Sequence, residues 1–368
     1  MTREPILLTP GPLTTRIETR QAMMKDWGSR DPAFIALTAE LRERLLGVCN
    51  GASSHVAVPL QGSGTFILEA AVATLIGPAA KLLVLANGAY GERMAEIARR
   101  HGRAVEVLRW DEDRTVDPGA VATALAADPA VTHVAVVHCE TTTGILNPLT
   151  EIAEVVARAG RDLIVDAMSS FGALPIDLAA TPIAALLASS NKCLEGVPGL
   201  GFAIVERGVL EAAKGVSPSM SFDLVEQWRG FEANGQWRFT PPVQVVAALV
   251  EALRLLEAEG GPAARLARYR GNFDILADGM IARGFPLYLD RQVQAPIIAT
   301  FRPPLQRRFM FDRFYNSLAA RGFVIYPGKL TRGDSFRIGC IGALARQDFE
   351  RLLAAIDDVL ADEAKDAE

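Results

Sequence analysis

The chain has 368 residues, of which 50% are hydrophobic and 22% charged. That balance excludes disordered, collagen-like and coiled-coil architectures and predicts a substantial packed core. A formal net charge of −5 speaks against a surface that coats nucleic acid, while leaving room for a small basic pocket.

Met1–Pro5 is charged, and the apolar run Ile6-Leu7-Leu8 stops at Pro10 and Pro12, too early for a signal peptide. Leu82–Leu85, Val134–Val137, Leu163–Val165 and Phe202–Val205 read as strands, with amphipathic stretches at Arg93–Arg100, Pro118–Ala127 and Leu149–Ala159 between them. Continuous apolar strands separated by helices predict an α/β fold, its sheet mostly parallel with helices on both faces. A long helix is expected over Val243–Glu257, then a break at Gly260-Gly261-Pro262. Beyond it come a helix near Ala263–Arg283, a short strand after Gly284 and a strand near Ile297–Phe301. A helix at Arg308–Arg321, a strand at Phe336–Ile338, a helix at Arg346–Leu360 and a frayed acidic tail, Ala361–Glu368, follow. The expected division is an N-terminal segment (1–20) that contributes to the cleft and the small domain, a large domain (21–259) and a smaller α+β C-terminal domain (260–368).

No apolar stretch approaches the roughly 18 residues that span a bilayer. Cys49, Cys139, Cys193 and Cys340 are widely spaced, and His55, His101, His133 and His138 lack H-x-x-x-H spacing. Neither a disulfide framework nor a metal site is expected, and a cytoplasmic protein without membrane or nucleic-acid partners is the simplest reading.

Three segments bear chemistry. Gln61-Gly62-Ser63-Gly64-Thr65 runs straight into the helical pattern Phe66–Val72. A Gly/Ser/Thr turn at a helix start is either a phosphate cradle at the positive end of the dipole or an ordinary helix N-terminus. It is neither a Walker loop nor a dinucleotide G-x-G-x-x-G. Asp166 ends an apolar strand, where the ligand crevice of an open α/β sheet lies; an acid there either pairs with a cation or caps a turn. Lys192 lies in Ser189-Ser190-Asn191-Lys192-Cys193, ahead of the Gly/Pro-rich Gly196–Gly201. It is either a loop-edge lysine or an amine made nucleophilic by an apolar setting. Taken together and in this order, the three match the needs of pyridoxal phosphate. The cradle suits the phosphate, Asp166 the protonated pyridine nitrogen, and Lys192 the covalent bond to the aldehyde carbon.

With these segments in view, the chain resembles the class V, fold-type I pyridoxal-phosphate aminotransferases over essentially its whole length. The likeness rests on Leu8-Thr9-Pro10-Gly11-Pro12, Asp26–Asp31 (DWGSRD), Gln61–Thr65, Asn87–Arg93 (NGAYGER), His138–Gly144 (HCETTTG), Asp166–Ser170, Ser190–Cys193 and Phe336–Gly339. Within the family, DWGSRD and HCETTTG favour the branch that passes the amino group of 2-aminoethylphosphonate to pyruvate in phosphonate degradation. Alanine–glyoxylate and serine–glyoxylate transamination is the alternative.

The resemblance implies fold-type I and a homodimer with its cofactor sites near the interface. It implies that Ser63, Gly64 and Thr65 hold the cofactor phosphate with help from Asn191, that Tyr90 covers the ring, and that Thr141, or else Thr142, meets the phenolic oxygen. Thr240 would reach a second subunit's cofactor phosphate; from sequence alone it reads as a helix N-cap ahead of Pro241. Arg337 would hold the substrate's anionic group, Lys192 and Asp166 would be catalytic, and Thr14, Thr15, Trp27, Ser29 and Arg30 would be weaker candidates for the substrate mouth. Cys340 stands where many sequences of the phosphonate branch have Asn. A cysteine desulfurase, a cofactor-free phosphate-binding protein and a nicotinamide dehydrogenase fit less well: no cysteine lies in a long flexible loop, and no strand leads into G-x-G-x-x-G.

Overall fold

The computed structural model describes residues 4–304, 309–330 and 333–365. A seven-stranded sheet forms its centre, in the spatial order His55–Gln61, Leu200–Glu206, Ala185–Ser189, Asp162–Asp166, Val131–Val137, Lys81–Ala86 and Ala104–Arg109. All neighbours run parallel except Leu200–Glu206, which is antiparallel to both of its partners. The reason is its connection. Residues 190–199 return as a tight loop, and a parallel partner would need a crossover of a dozen residues or more.

Apart from the edge strand Ala104–Arg109, both faces of the sheet are buried. On one, Leu83, Val134, Val165, Leu186 and Phe202 join a core with Phe34, Leu41, Ile152, Leu249 and Leu253 from the covering helices Pro32–Val48, Leu149–Arg158 and Val243–Glu259. On the other, Val58, Val84, Ala135, Leu187 and Ala203 meet Ile67, Ala71, Met94, Leu224 and Phe231 from Gly64–Leu75, Ala89–Arg100 and Leu224–Asn234. Side chains that alternate between two buried faces explain the continuous apolar runs in the sequence.

Gly260, left-handed at φ 108°, terminates Val243–Glu259, and Pro262 stands in the first turn of the next helix, Gly261–Ala282. Gly at a helix end and Pro at a helix start are what those backbones favour. A three-stranded antiparallel sheet follows, ordered Ile298–Phe301, Phe336–Gly339, Tyr326–Pro327. Its core holds Phe285, Phe301, Phe314 and Phe336 together with Leu8, so the N-terminal segment is part of this layer. Ile6–Leu7 pairs in parallel with Phe323–Val324.

Four expectations change. The strand after Gly284 reduces to one bridge, Leu287 with Phe301. The helix expected from Arg308 runs over Phe311–Ala320, and Arg308 lies outside the described residues. The last helix continues to Lys365, so the acidic tail is helical up to that point, and 366–368 lie outside the described residues. Helix Val243–Glu259 takes Pro242 as its N-cap, so Thr240 does not cap it.

Candidate active site

The carboxyl ends of the parallel strands open into a cleft of about 190 Å³. Such crevices are where open α/β sheets bind ligands. Ser63, Gly64, Thr65, Tyr90, Arg93, Thr141, Asp166, Asn191 and Lys192 all line it. The topology thus brings together residues drawn from five separate connections.

Gly62 turns the chain at φ 125° to deliver Ser63 to the start of helix Gly64–Leu75. Ser63 is the N-cap but makes no side-chain capping bond, so its hydroxyl and the Gly64 and Thr65 N–H groups remain available to an anion. Gly64 is held close to Met168, whose Sδ would stand 2.7 Å from an added Cβ.

Asp166, 4% exposed, accepts the Met168 amide at 2.9 Å. Burial pushes its carboxyl up to about 6, and the Met168 bond offsets only part of that. The site therefore penalises a bare carboxylate and favours a cation beside it.

Lys192 sits where strand Ala185–Ser189 becomes a loop cross-braced by its own backbone, Gly196 N to Ser190 O at 2.9 Å and Glu195 N to Lys192 O at 2.8 Å. Its Nζ donates to Pro10 O at 2.5 Å. Burial pulls the amine down to about 8, so a free-base fraction exists near neutral pH. Gly11 lies against it: at φ 117°, a Cβ there would approach Asn191 O to 2.8 Å and Lys192 Cδ to 2.9 Å.

Glu140, inside HCETTTG, supports the cleft wall in a way that residue type and spacing do not announce. It is 0% exposed and accepts the amides of Tyr90 at 3.0 Å, Gly91 at 3.4 Å and Thr142 at 3.1 Å, together with the Thr142 hydroxyl. A carboxylate at the N-terminus of Ala89–Arg100 complements that helix's dipole and fixes Tyr90 at the cleft wall. Burial still raises its pKa. The two threonines part here: Thr142 is committed to Glu140, while Thr141 lines the cleft. Arg93 is likewise unannounced. It stands one helical turn after Tyr90, on the same face, with its guanidinium 4.9 Å from the Tyr90 ring centroid.

Arg337 is 1% exposed. Its Nη1 donates to Thr141 O at 2.8 Å and its Nε to Pro327 O at 3.1 Å. It thus abuts the cleft through Thr141 without lining the cavity itself. Thr240 is exposed and does not line its own chain's cleft. Nor do Thr14, Thr15, Trp27, Ser29 and Arg30; the Thr14 hydroxyl accepts the Leu7 amide at 2.8 Å.

Behind the lysine loop lies an ion network that no sequence pattern announced. Glu195, three residues past Lys192, has φ 61° and is 2% exposed. It accepts from Arg268 at 2.7 Å and from the Tyr269 hydroxyl at 2.6 Å. Arg265, fully buried, donates to Cys193 O at 2.6 Å and to Glu259 at 2.7 Å. Helix Gly261–Ala282 is thereby clamped to the loop that carries the lysine.

A model of the aminotransferase class-V family matches residues 23–287. The chain is 54% identical to 2-aminoethylphosphonate–pyruvate transaminase 2 of Burkholderia lata, over 97% of this chain and 95% of that one. It is 53% identical to 2-aminoethylphosphonate–pyruvate transaminase of Pseudomonas putida, over 98% of each. Among solved structures, alanine–glyoxylate aminotransferase from Nostoc sp. superposes with a TM-score of 0.91 at 26% identity, covering 98% of this chain and 96% of that one.

Proposed function

The chain belongs to the class-V aminotransferase family, and from that premise we propose that it transfers the amino group of 2-aminoethylphosphonate to pyruvate, with phosphonoacetaldehyde and L-alanine as products. The observation that carries the reading is one cleft that joins an anion cradle, a buried acid and a buried amine, in a chain over half identical to relatives named for this reaction.

The cofactor is pyridoxal 5′-phosphate, and the donor set suits it group by group. Free hydroxyls and N–H groups at Ser63, Gly64 and Thr65, with Asn191 beside them, would hold the phosphate. Asp166, whose burial calls for a neighbouring cation, would keep a proton on the ring nitrogen. Tyr90 would cover the ring and exclude water from one face. The Thr141 hydroxyl would meet the phenolic oxygen. When bound, the cofactor supplies an aldehyde that takes up the amino group and a ring that accepts the electrons released as the neighbouring C–H bond breaks.

The chain's own part is to move protons and to orient substrates. Lys192 Nζ, with its ammonium form destabilised by burial, takes the proton from the carbon bearing nitrogen and passes it on. Arg337 turns a guanidinium toward the substrate's anionic group, its own orientation fixed by two backbone carbonyls. Pyruvate then receives the amino group in the reverse sense, so the kinetics are ping-pong.

We also propose a homodimer in which Thr240 reaches a second copy's phosphate site. Supporting it are the exposed apolar side chains beside both places, Phe239 next to Thr240 and Phe66 next to Thr65. Four buried, unpaired cysteines support a reducing, cytoplasmic setting, and among the described residues no helix is long and apolar enough to cross a membrane.

The test is a single half-reaction. Cofactor-loaded protein is mixed in turn with 2-aminoethylphosphonate, alanine and serine, and conversion to the amine form is followed by absorbance. 2-Aminoethylphosphonate should convert fastest, and Lys192→Ala should convert with none. Preference for serine would instead identify a serine–glyoxylate transaminase; alanine converts in either case by reversal of the pyruvate half-reaction, so glyoxylate against pyruvate as acceptor separates an alanine–glyoxylate enzyme.

A further inference from the structure

With the cradle, Asp166 and Lys192 assigned to the cofactor, cations remain around Tyr90. Arg337 satisfies Nε and Nη1 on backbone carbonyls and leaves Nη2 without a protein acceptor among the described residues. It has no carboxylate partner there either, and it supplies one positive charge. The carboxylate of pyruvate carries one negative charge. A phosphoryl-type group carries about −1.5 to −2 at neutral pH. A site that takes both substrates through Arg337 alone would leave the phosphonate under-neutralised.

The second charge stands on the same hairpin. Tyr326 pairs with Arg337, and Pro327, whose carbonyl holds the Arg337 Nε, pairs with Phe336. Two residues beyond Pro327, Lys329 places its Nζ 5.8 Å from the Tyr90 ring centroid. Lys329 makes no salt bridge among the described residues. Three acids line the pocket beside Lys329: Glu92, taken by Arg109 at 2.6 Å, and Asp111 and Glu112, each of which has a partner of its own. Lys329 and Arg337 both weigh against protonation of Lys192, so both act electrically on the reacting end of the cleft. Arg93 faces the same ring, but it lines the cavity with the cradle and Asp166 and so belongs to the cofactor side.

We propose that Lys329 determines specificity for dianionic donors: it shares the phosphonate with Arg337, whereas the pyruvate carboxylate needs Arg337 alone. The proposal deepens the donor reading above and rests on it.

The test uses cofactor-loaded wild type, Lys329→Gln and Lys329→Arg, with the two half-reactions measured separately. Lys329→Gln should lower the rate constant for 2-aminoethylphosphonate by about 10- to 150-fold, the worth of one charge-assisted hydrogen bond. The pyruvate rate constant should fall at least tenfold less, and Lys329→Arg should restore most of the loss. Without turnover, calorimetric binding of ethylphosphonate should weaken at least about tenfold in Lys329→Gln, and binding of propionate much less. Equal losses in the two half-reactions, or unchanged ethylphosphonate binding, would overturn the proposal. The pyruvate half-reaction and propionate binding also report that the variant is folded. A wild type unreactive toward 2-aminoethylphosphonate would sink the donor reading instead, with ethylphosphonate against propionate still judging Lys329.

Discussion

Asp166→Asn isolates the electrostatic cost of burying a carboxylate in the cleft. In the folded apoprotein, burial raises the Asp166 carboxyl from an ordinary 3.8 to about 6. A raised folded-state pKa gives stability that is fully present below the unfolded value and lost as pH rises through the folded one. Two pKa units correspond to about 3 kcal/mol, so ionised Asp166 costs the apoprotein up to that amount at pH values above about 7. Asparagine keeps the shape and can accept the Met168 amide, which reaches Asp166 at 2.9 Å. Lys192 loses an attractive neighbour, so about 3 kcal/mol is a ceiling. Cofactor-stripped Asp166→Asn should therefore be more stable than stripped wild type near pH 8, the gap closing by about pH 4. Urea unfolding over a pH series measures it. With cofactor added, the order should reverse, because only the carboxylate offers charge to a protonated ring nitrogen. Parallel stability profiles for the two stripped proteins would refute the reasoning.

Arg337→Gln removes a charge-assisted bond to the substrate anion, so KM for pyruvate should rise about 10- to 150-fold while cofactor absorbance is kept. Glu195→Gln leaves Arg265 and Arg268 to Glu259 alone; a loss below the roughly 3–5 kcal/mol of a fully uncompensated buried charge should appear as a lower denaturation midpoint. Gly11→Ala imposes a Cβ on Lys192 and on a left-handed backbone. It should cut turnover at least as strongly as it cuts stability, read by comparing kcat with Tm; an unchanged kcat would show that the close approach to Lys192 is immaterial.

The legible parts of the fold were those whose physics is local. Lys81–Ala86, Val131–Val137 and Asp162–Asp166 are central strands, and their apolar runs stand out within one to three residues of the observed limits. The sheet's edges did not. Ala104–Arg109 alternates toward solvent, and His55–Gln61 contains Pro59, which an edge strand tolerates and a central one does not. Ala185–Ser189 closes the apolar run Ile183–Ala188, whose Ala and Leu residues suit a helix as well as a strand, so periodicity alone does not mark it.

The sequence by itself determined the chemistry on offer. A glycine-rich turn opening a helix, an acid at a strand end and a lysine in a small-residue loop each have a role that follows from residue type and immediate neighbours. Only the tertiary structure decided how they are held. Thr141 and Thr142 are adjacent and identical in type, and the buried Glu140 separates them by claiming one hydroxyl. Nothing near Glu195 in the chain announces Arg265, Arg268 and Tyr269, because the network closes across 70 residues or more. Lys329 stands beside Tyr90 only because a hairpin in the C-terminal layer delivers it there. Buried charge and shared cavities depend on who else is present in space, and no local pattern encodes that.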